Sequence, residues 1–190
     1  MNQHELFSLK GQNAIVTGGS GYLGSAISEG LAKYGANVMI VSRSKEKCMN
    51  LAEQLNQKYN VKCQGYALDV SDSNSINHTF EEIYNSDMKI DILINNAYFG
   101  AGKTIEEMTE WEWETGIDGS INNVFRVTKR HYNICYRRIK EILLISLQCM
   151  VLFPQTLLFM AIQALIILRI MEQEKLLSYS LLGILRVTMV

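Results

Sequence analysis

Asn13-Ala14-Ile15-Val16-Thr17 runs directly into Gly18-Gly19-Ser20-Gly21-Tyr22-Leu23-Gly24, and the reading of this stretch decides the fold. The first five residues form a short apolar run of strand type. From Gly24 to Tyr34 the apolar residues recur at helical spacing. A glycine pattern alone is weak, but a glycine loop that leaves a strand and opens a helix is specific. Glycines at 18, 21 and 24 let the backbone turn tightly and approach a pyrophosphate. The helix N-terminus then offers unpaired N–H groups and the positive end of its dipole to that anion. Thr17, Gly18, Ser20, Gly21, Tyr22, Leu23 and Gly24 are therefore the candidate contacts of this loop. The alternative is an ordinary glycine-rich turn before a helix.

Outward from this loop, strand and helix patterns alternate. Strands are expected at Asn13–Thr17, Asn37–Ser42, 63–68 and Ile92–Asn95. Helices are expected at 24–34, Lys45–Tyr59, 75–84 and 105–117, with another from about Ile121. Such alternation implies βαβ units and a doubly wound parallel sheet of Rossmann type. Runs such as Val38-Met39-Ile40-Val41 suit strands buried on both faces. A chain of 190 residues fits one domain. Lys and Arg total 18 against 19 Asp and Glu, a net charge of -1, so nothing favours a nucleic-acid partner. The first ten residues lack the apolar core of a signal peptide, which points to the cytoplasm. Cys48, Cys63, Cys135 and Cys149 lack metal-ligand spacing and read as free thiols, and His4, His78 and His131 do not cluster, so no metal site is expected.

Beyond Arg130 the composition changes. No Asp follows Asp118, Gly183 is the only later glycine past residue 130, and residues 142–168 carry no charged side chain. That run is long enough for a membrane span, which needs roughly 20 apolar residues. Gln148, Pro154, Gln155 and Gln163 argue against spanning. The expectation is a nucleotide-binding part over 1–130 followed by an aberrant, apolar, helical tail over 131–190.

Over residues 1–130 the chain resembles the short-chain dehydrogenase/reductase family, on several motifs in order. Thr17 to Gly24 matches that family's cofactor loop, with Tyr22 where its commoner pattern has Gly. Asp69-Val70 matches the pair that holds the adenine. Asn95-Asn96-Ala97-Tyr98 matches its Asn-Asn-Ala-Gly strand end, with Tyr98 replacing Gly, and Lys129 sits on the helix that follows. Leu6-Phe7-Ser8-Leu9-Lys10-Gly11 resembles sugar-acid and polyol members. The resemblance implies a dinucleotide cofactor, a small hydroxyl or carbonyl substrate and a homo-oligomer. Cofactor contacts are implied for Asp69, Val70, Asn95 and Ala97. After strand two stands Val41-Ser42-Arg43-Ser44, with no acid to bond a ribose 2′-hydroxyl. Arg43 and Ser42 suit a 2′-phosphate, so NADP(H) is favoured over NAD(H).

By the same resemblance, chemistry needs a Ser at the end of strand five, then a Tyr with a Lys four residues on. A nearby cation eases loss of the phenol proton. An Asn on the preceding helix completes the relay, and Ser120 or Asn122 falls in that region. No Ile-Ser-Ser strand end appears, and the expectation is that no Tyr-x-x-x-Lys follows residue 130, with Tyr132, Tyr136 and Tyr179 each lacking the lysine. Starting each tail codon one base earlier changes this. Met150–Val151 and Met171–Glu172 then force Gly, and their neighbours permit Ile-Ser-Ser-Met-Tyr-Gly and Tyr-Gly-Ala-Gly-Lys-Ala. The expectation is a reading frame slipped by one base near codons 130–131, leaving strand four with an open edge and the chain inactive; the alternatives are a non-catalytic dinucleotide-binding module and a protein anchored in a membrane through residues 142–168.

Overall fold

The computed structural model describes residues 8–86, 88–104, 106–135 and 143–146. They form a five-stranded parallel sheet, order β3-β2-β1-β4-β5. The strands are β1 (Asn13–Thr17), β2 (Asn37–Ser42), β3 (Gln64–Ala67), β4 (Ile92–Asn95) and β5 (Leu143–Ser146). The helices are α1 (Tyr22–Lys33), α2 (Lys45–Tyr59), α3 (Ser73–Asn85), α4 (Glu110–Ile117) and α5 (Asn123–Cys135), with a π turn at Asp118–Asn122 between the last two. From β1 the chain winds outward to β2 and β3, then returns across β1 to β4 and β5. Right-handed crossovers in opposite directions put helices on opposite faces, which is the doubly wound arrangement.

Pairing follows from the apolar runs. Ala14, Ile15 and Val16 align with Val38, Met39 and Ile40 on one side and with Ile92, Leu93 and Ile94 on the other. All nine are buried, and alternation sends them to two faces. Ile15, Met39, Val41 and Leu93 share a core with Ile76, Phe80 and Ile83 of α3 and Val127 of α5. Ala14, Val16, Val38 and Ile40 face the other way, on the side where α1 and α2 contact β1 and β2. Those helices bury Ser28 and Ala32, and Cys48, Ala52 and Leu55.

Element ends follow capping chemistry. α1 starts two residues before Gly24, because Gly21 takes the extended N-cap conformation. α4 starts at Glu110 and not at 105, because Thr109 and Glu112 form a reciprocal capping box. Lys103 and the Thr109 bonds hold the Glu112 carboxyl down at about 2. Ser44 and Asp72 cap α2 and α3 through Lys47 N and Asn74 N.

The expectation of an open β4 edge is corrected, and of the tail expected to be helical the structure describes residues 131–135 and 143–146. α5 continues through Cys135, and β5 pairs with β4 in the register Ile92↔Leu143 to Asn95↔Ser146. The apolar run beginning at 142 therefore opens as a strand. The rest of that run, the remainder of the tail, Cys149 and residues 1–7 lie outside the described residues. Among the described residues, no helix is long and apolar enough to cross a membrane. Cys48 and Cys63 are free, as expected.

His131 was not expected in the core. It is 0% exposed, stacks edge-on against Phe80 and shares a 2.6 Å hydrogen bond between its Nδ1 and the Tyr84 hydroxyl. Burial pushes its pKa down from 6.5 to about 4. The folded state thus holds the neutral ring, whereas the unfolded chain takes up the proton nearer pH 6.5. The contribution is complete above the unfolded value and is lost as pH falls toward about 4. Melting temperature should therefore drop between about pH 6.5 and pH 4.5, above the carboxylate range. In a His131→Leu variant that slope should disappear; an unchanged slope would refute the assignment.

Candidate functional site

A ligand of a doubly wound sheet sits beyond the strand C-termini where the winding reverses. Here that point lies between β1 and β4, so the loops after Thr17 and Asn95 form its walls. Gly18 has φ of 63°, which costs glycine nothing, and Gly21 N–H donates to its carbonyl at 3.0 Å. Gly24 is buried under this turn. A Cβ there would lie 2.0 Å from the Gly18 oxygen, so any side chain would push the loop open. Gly21 caps α1 without a side-chain hydrogen bond. The first-turn N–H groups are therefore available to an anion. Tyr22 and Leu23 are exposed at this helix start, Tyr22 at 94%.

The loop is bound to β2 as well. Gly19 N–H donates to Val41 O at 3.1 Å, and the Ser20 and Ser42 hydroxyls meet at 2.6 Å. Ser42 Oγ also lies 3.0 Å from Cys48 Sγ. Arg43 follows at the surface. One loop end thus carries two hydroxyls and a guanidinium, a donor set suited to a phosphate. Asp69 accepts from the Ser71 N–H and hydroxyl at 2.9 and 2.6 Å. Those bonds hold its carboxyl below the usual range, with a smaller contribution from Arg43. Val70 is buried beside it, and its carbonyl accepts from Arg126 at 3.4 Å.

Three of the expected contacts are internal braces. The Thr17 hydroxyl is buried, donates to Ile94 O at 3.2 Å and accepts from Asn96 N at 2.9 Å and Ala97 N at 3.0 Å. Asn95 is 1% exposed and its amide reaches Thr128 on α5. Ala97 packs partly against the core. Asn96, to which the sequence assigns no contact, donates to the carbonyls of Thr17 at 2.9 Å and Gly18 at 3.3 Å. It therefore fixes the glycine loop from the β4 side.

Ser120 and Asn122 do not reach this wall. The Ser120 hydroxyl bonds back to Gly116 and Ile117 carbonyls, and Asn122 bonds to Asp118. Asn123, to which the sequence assigns no role, is buried and donates to Ala97 O at 2.9 Å and Gly119 O at 2.7 Å. The π turn inserts one residue, which rotates α5 by about 100° relative to an unbroken α-helix. The local signal for Asn123 in the sequence is the doubled Asn122-Asn123. Arg126 clamps the turn through a two-pronged pair with Asp118 at 2.8 and 2.9 Å.

β5 ends in Ile145-Ser146, and the register sets Ser146 opposite Asn95. A Tyr-x-x-x-Lys spacing does occur past residue 130, from Tyr136 to Lys140, contrary to the expectation that those tyrosines lack the lysine. It precedes β5, whereas the family order places it after, and both residues lie outside the described residues. Among the described residues no cluster of three or more His, Cys, Asp or Glu could hold a metal ion.

Replacing Thr17 by Val keeps its shape and leaves Asn96 N–H and Ala97 N–H without their buried acceptor. That should cost about 2–4 kcal/mol, measured by urea unfolding. A loss below about 0.5 kcal/mol would show that the hydroxyl does not brace the two strands.

The short chain dehydrogenase family matches residues 12–145. A 3-oxoacyl-[acyl-carrier-protein] reductase FabG of Aquifex aeolicus is 38% identical over 121 residues, 64% of this chain and 49% of its own length. Sorbose reductase SOU1 of Candida albicans is 37% identical over 126 residues, 65% of this chain and 44% of its own. Among solved structures, the Pseudomonas aeruginosa RhlG/NADP active-site complex superposes with a TM-score of 0.63 at 31% identity, covering 72% of this chain and 52% of that one. The chain spans about half the length of the curated relatives it matches. With the glycine loop, the parallel sheet and its winding order in place, the chain belongs to the short-chain dehydrogenase family.

Proposed function

We propose that this chain holds NADP(H) at the β1–β4 switch point, and that its parent gene encodes an oxidoreductase acting on a hydroxyl/carbonyl pair of a sugar or polyol. The observation that carries the reading is the closed glycine loop, with Gly24 under Gly18 and an uncapped α1 N-terminus at the switch point. Gly18 to Gly24 receive the pyrophosphate on backbone N–H groups. Ser20, Ser42 and Arg43 take the 2′-phosphate, and Asp69 and Val70 border the adenine. Sorbose reductase among the relatives, and NADP in the RhlG complex, support the substrate class and the cofactor. Bound nicotinamide would supply or accept the hydride. The protein's share is to orient it and to move a proton at the substrate oxygen.

The groups for that proton step are missing from the chain as written after β5. A single base lost near codons 130–131 accounts for this, since the restored frame permits both Ile-Ser-Ser and Tyr-x-x-x-Lys in family order. Their wider separation in that frame corresponds to an inserted loop. Under this proposal the chain binds dinucleotide and does not turn over. β5 favours retained binding, because β4 keeps a neighbour on its outer side.

Titration of the purified chain by NADPH fluorescence tests the cofactor reading. Saturable binding is expected, tighter for NADPH than for NADH. Arg43→Ala should weaken NADPH about tenfold, the scale of one charged hydrogen bond, and leave NADH unmoved. No saturable binding would end the proposal, and NADPH consumption with a ketose would overturn the inactivity. Resequencing codons 120–190 decides the frame: one further base near codons 130–131 is expected, and a tail confirmed by RNA and peptide masses would refute the slip.

A further inference from the structure

We propose that Arg126 is a positioning residue of the nucleotide site: through the Val70–Ser71 peptide it turns the Asp69 carboxylate toward the base of a bound dinucleotide. The inference rests on the dinucleotide reading above and gives a role in it to a residue of α5.

Arg126 serves two acceptors with one fork. Its Nη1 and Nη2 donate to the two oxygens of Asp118 at 2.8 and 2.9 Å, and Nη2 also donates to the Val70 carbonyl at 3.4 Å. The Arg126 partner holds the Asp118 carboxyl below its usual range, so the pair stays ionised. A planar guanidinium gripped at both prongs keeps one orientation, and this side chain is only 23% exposed. Its reach to Val70 is fixed by Asp118.

The carbonyl it holds shares one rigid amide plane with the Ser71 N–H, and in a trans peptide the two groups point in opposite directions. Arg126 takes one edge of that plane, and Asp69 Oδ1 accepts from the other edge at 2.9 Å. A donor on the carbonyl polarises the amide and strengthens the bond its N–H makes. The Ser71 hydroxyl adds a second bond to the same oxygen at 2.6 Å. The Asp69 carboxylate is therefore set from α5 through a single peptide. Its Oδ1 is used inside the turn, whereas Oδ2 enters none of the described hydrogen bonds and is open to a donor from a ligand.

Position names that donor. Leu68 N–H donates to Ser42 O at 2.8 Å, so Asp69 and Arg43 follow each other's strand ends side by side. A 2′-phosphate at Arg43 brings the base of the same nucleotide to Asp69. Adenine presents an amino group, which a carboxylate accepts. Hypoxanthine presents an oxygen in its place, which a carboxylate repels.

The experiment titrates NADPH and its deamino analogue, reduced nicotinamide hypoxanthine dinucleotide phosphate, by fluorescence on wild type, Arg126→Lys, Arg126→Gln and Arg130→Lys. Wild type should bind NADPH about tenfold tighter than the analogue, the scale of one charged hydrogen bond. Arg126→Lys keeps a charge beside Asp118 but lacks the fork that serves two acceptors. Its urea midpoint should stay near that of wild type, while its preference for adenine falls to about twofold or less. Arg126→Gln should lose the preference as well. Arg130, one turn further along α5, pairs with Glu81 of α3 instead, so Arg130→Lys should keep it. A wild-type preference in both Arg126 variants overturns the proposal. So does its loss in Arg130→Lys, or an equal weakening of both ligands in the Arg126 variants, which would mark a scaffold residue. If wild type binds the two dinucleotides equally, the positioning role falls while the dinucleotide reading stands. If it binds neither, that reading falls and takes this role with it.

Discussion

One hydroxyl joins the two strands on which everything else in the site is built. Thr17 Oγ1 donates to one backbone carbonyl of β4 and accepts from two N–H groups just beyond it, inside a buried region. There an unmatched donor is costly and a matched one strengthens its neighbours. The consequence runs in both directions along the chain. On the β1 side, Asn96 is presented so that its amide holds the carbonyls of Thr17 and Gly18, and the glycine loop closes. On the β4 side, Ala97 is set for Asn123 to reach its carbonyl. The switch point between β1 and β4 is therefore a braced feature of the backbone.

Most of the sheet was legible because its physics is local. β1, β2 and β4 are unbroken apolar runs with polar ends, and their boundaries fall where those runs stop. The glycine loop was legible because each glycine answers a different steric demand. Features that depend on contacts distant in sequence were not. Thr17 reads in sequence as the last residue of a strand and a loop contact; only its partners 77 to 80 residues away turn it into a brace. Asn123 reads as the second of two asparagines until the fold brings its amide to the carbonyl of Ala97, 26 residues away. His131 reads as an isolated polar residue until Phe80 and Tyr84 close around it.

β5 was missed for another reason. Leu143-Leu144-Ile145-Ser146 is the start of a long uncharged run, and a short apolar run cannot be told from a buried helix by its period alone. A parallel edge of the sheet, in contrast, selects it easily. β4 offers a line of backbone groups and apolar flanks, and four extended residues, three of them apolar, suffice to fill the place beside it.

That tolerance separates fold from chemistry in this chain. A slot beside β4 accepts many sequences, so residues read in a slipped frame can still complete it, provided that frame encodes Leu and Ile. A proton relay accepts few: one phenol, one ammonium and one hydroxyl at fixed separations. A single lost base is therefore expected to leave the sheet and its phosphate loop standing while removing turnover. Under the proposed function, binding without catalysis follows from such a change, because the residues proposed to hold the dinucleotide are encoded before residue 130, where Thr17 braces β1 to β4.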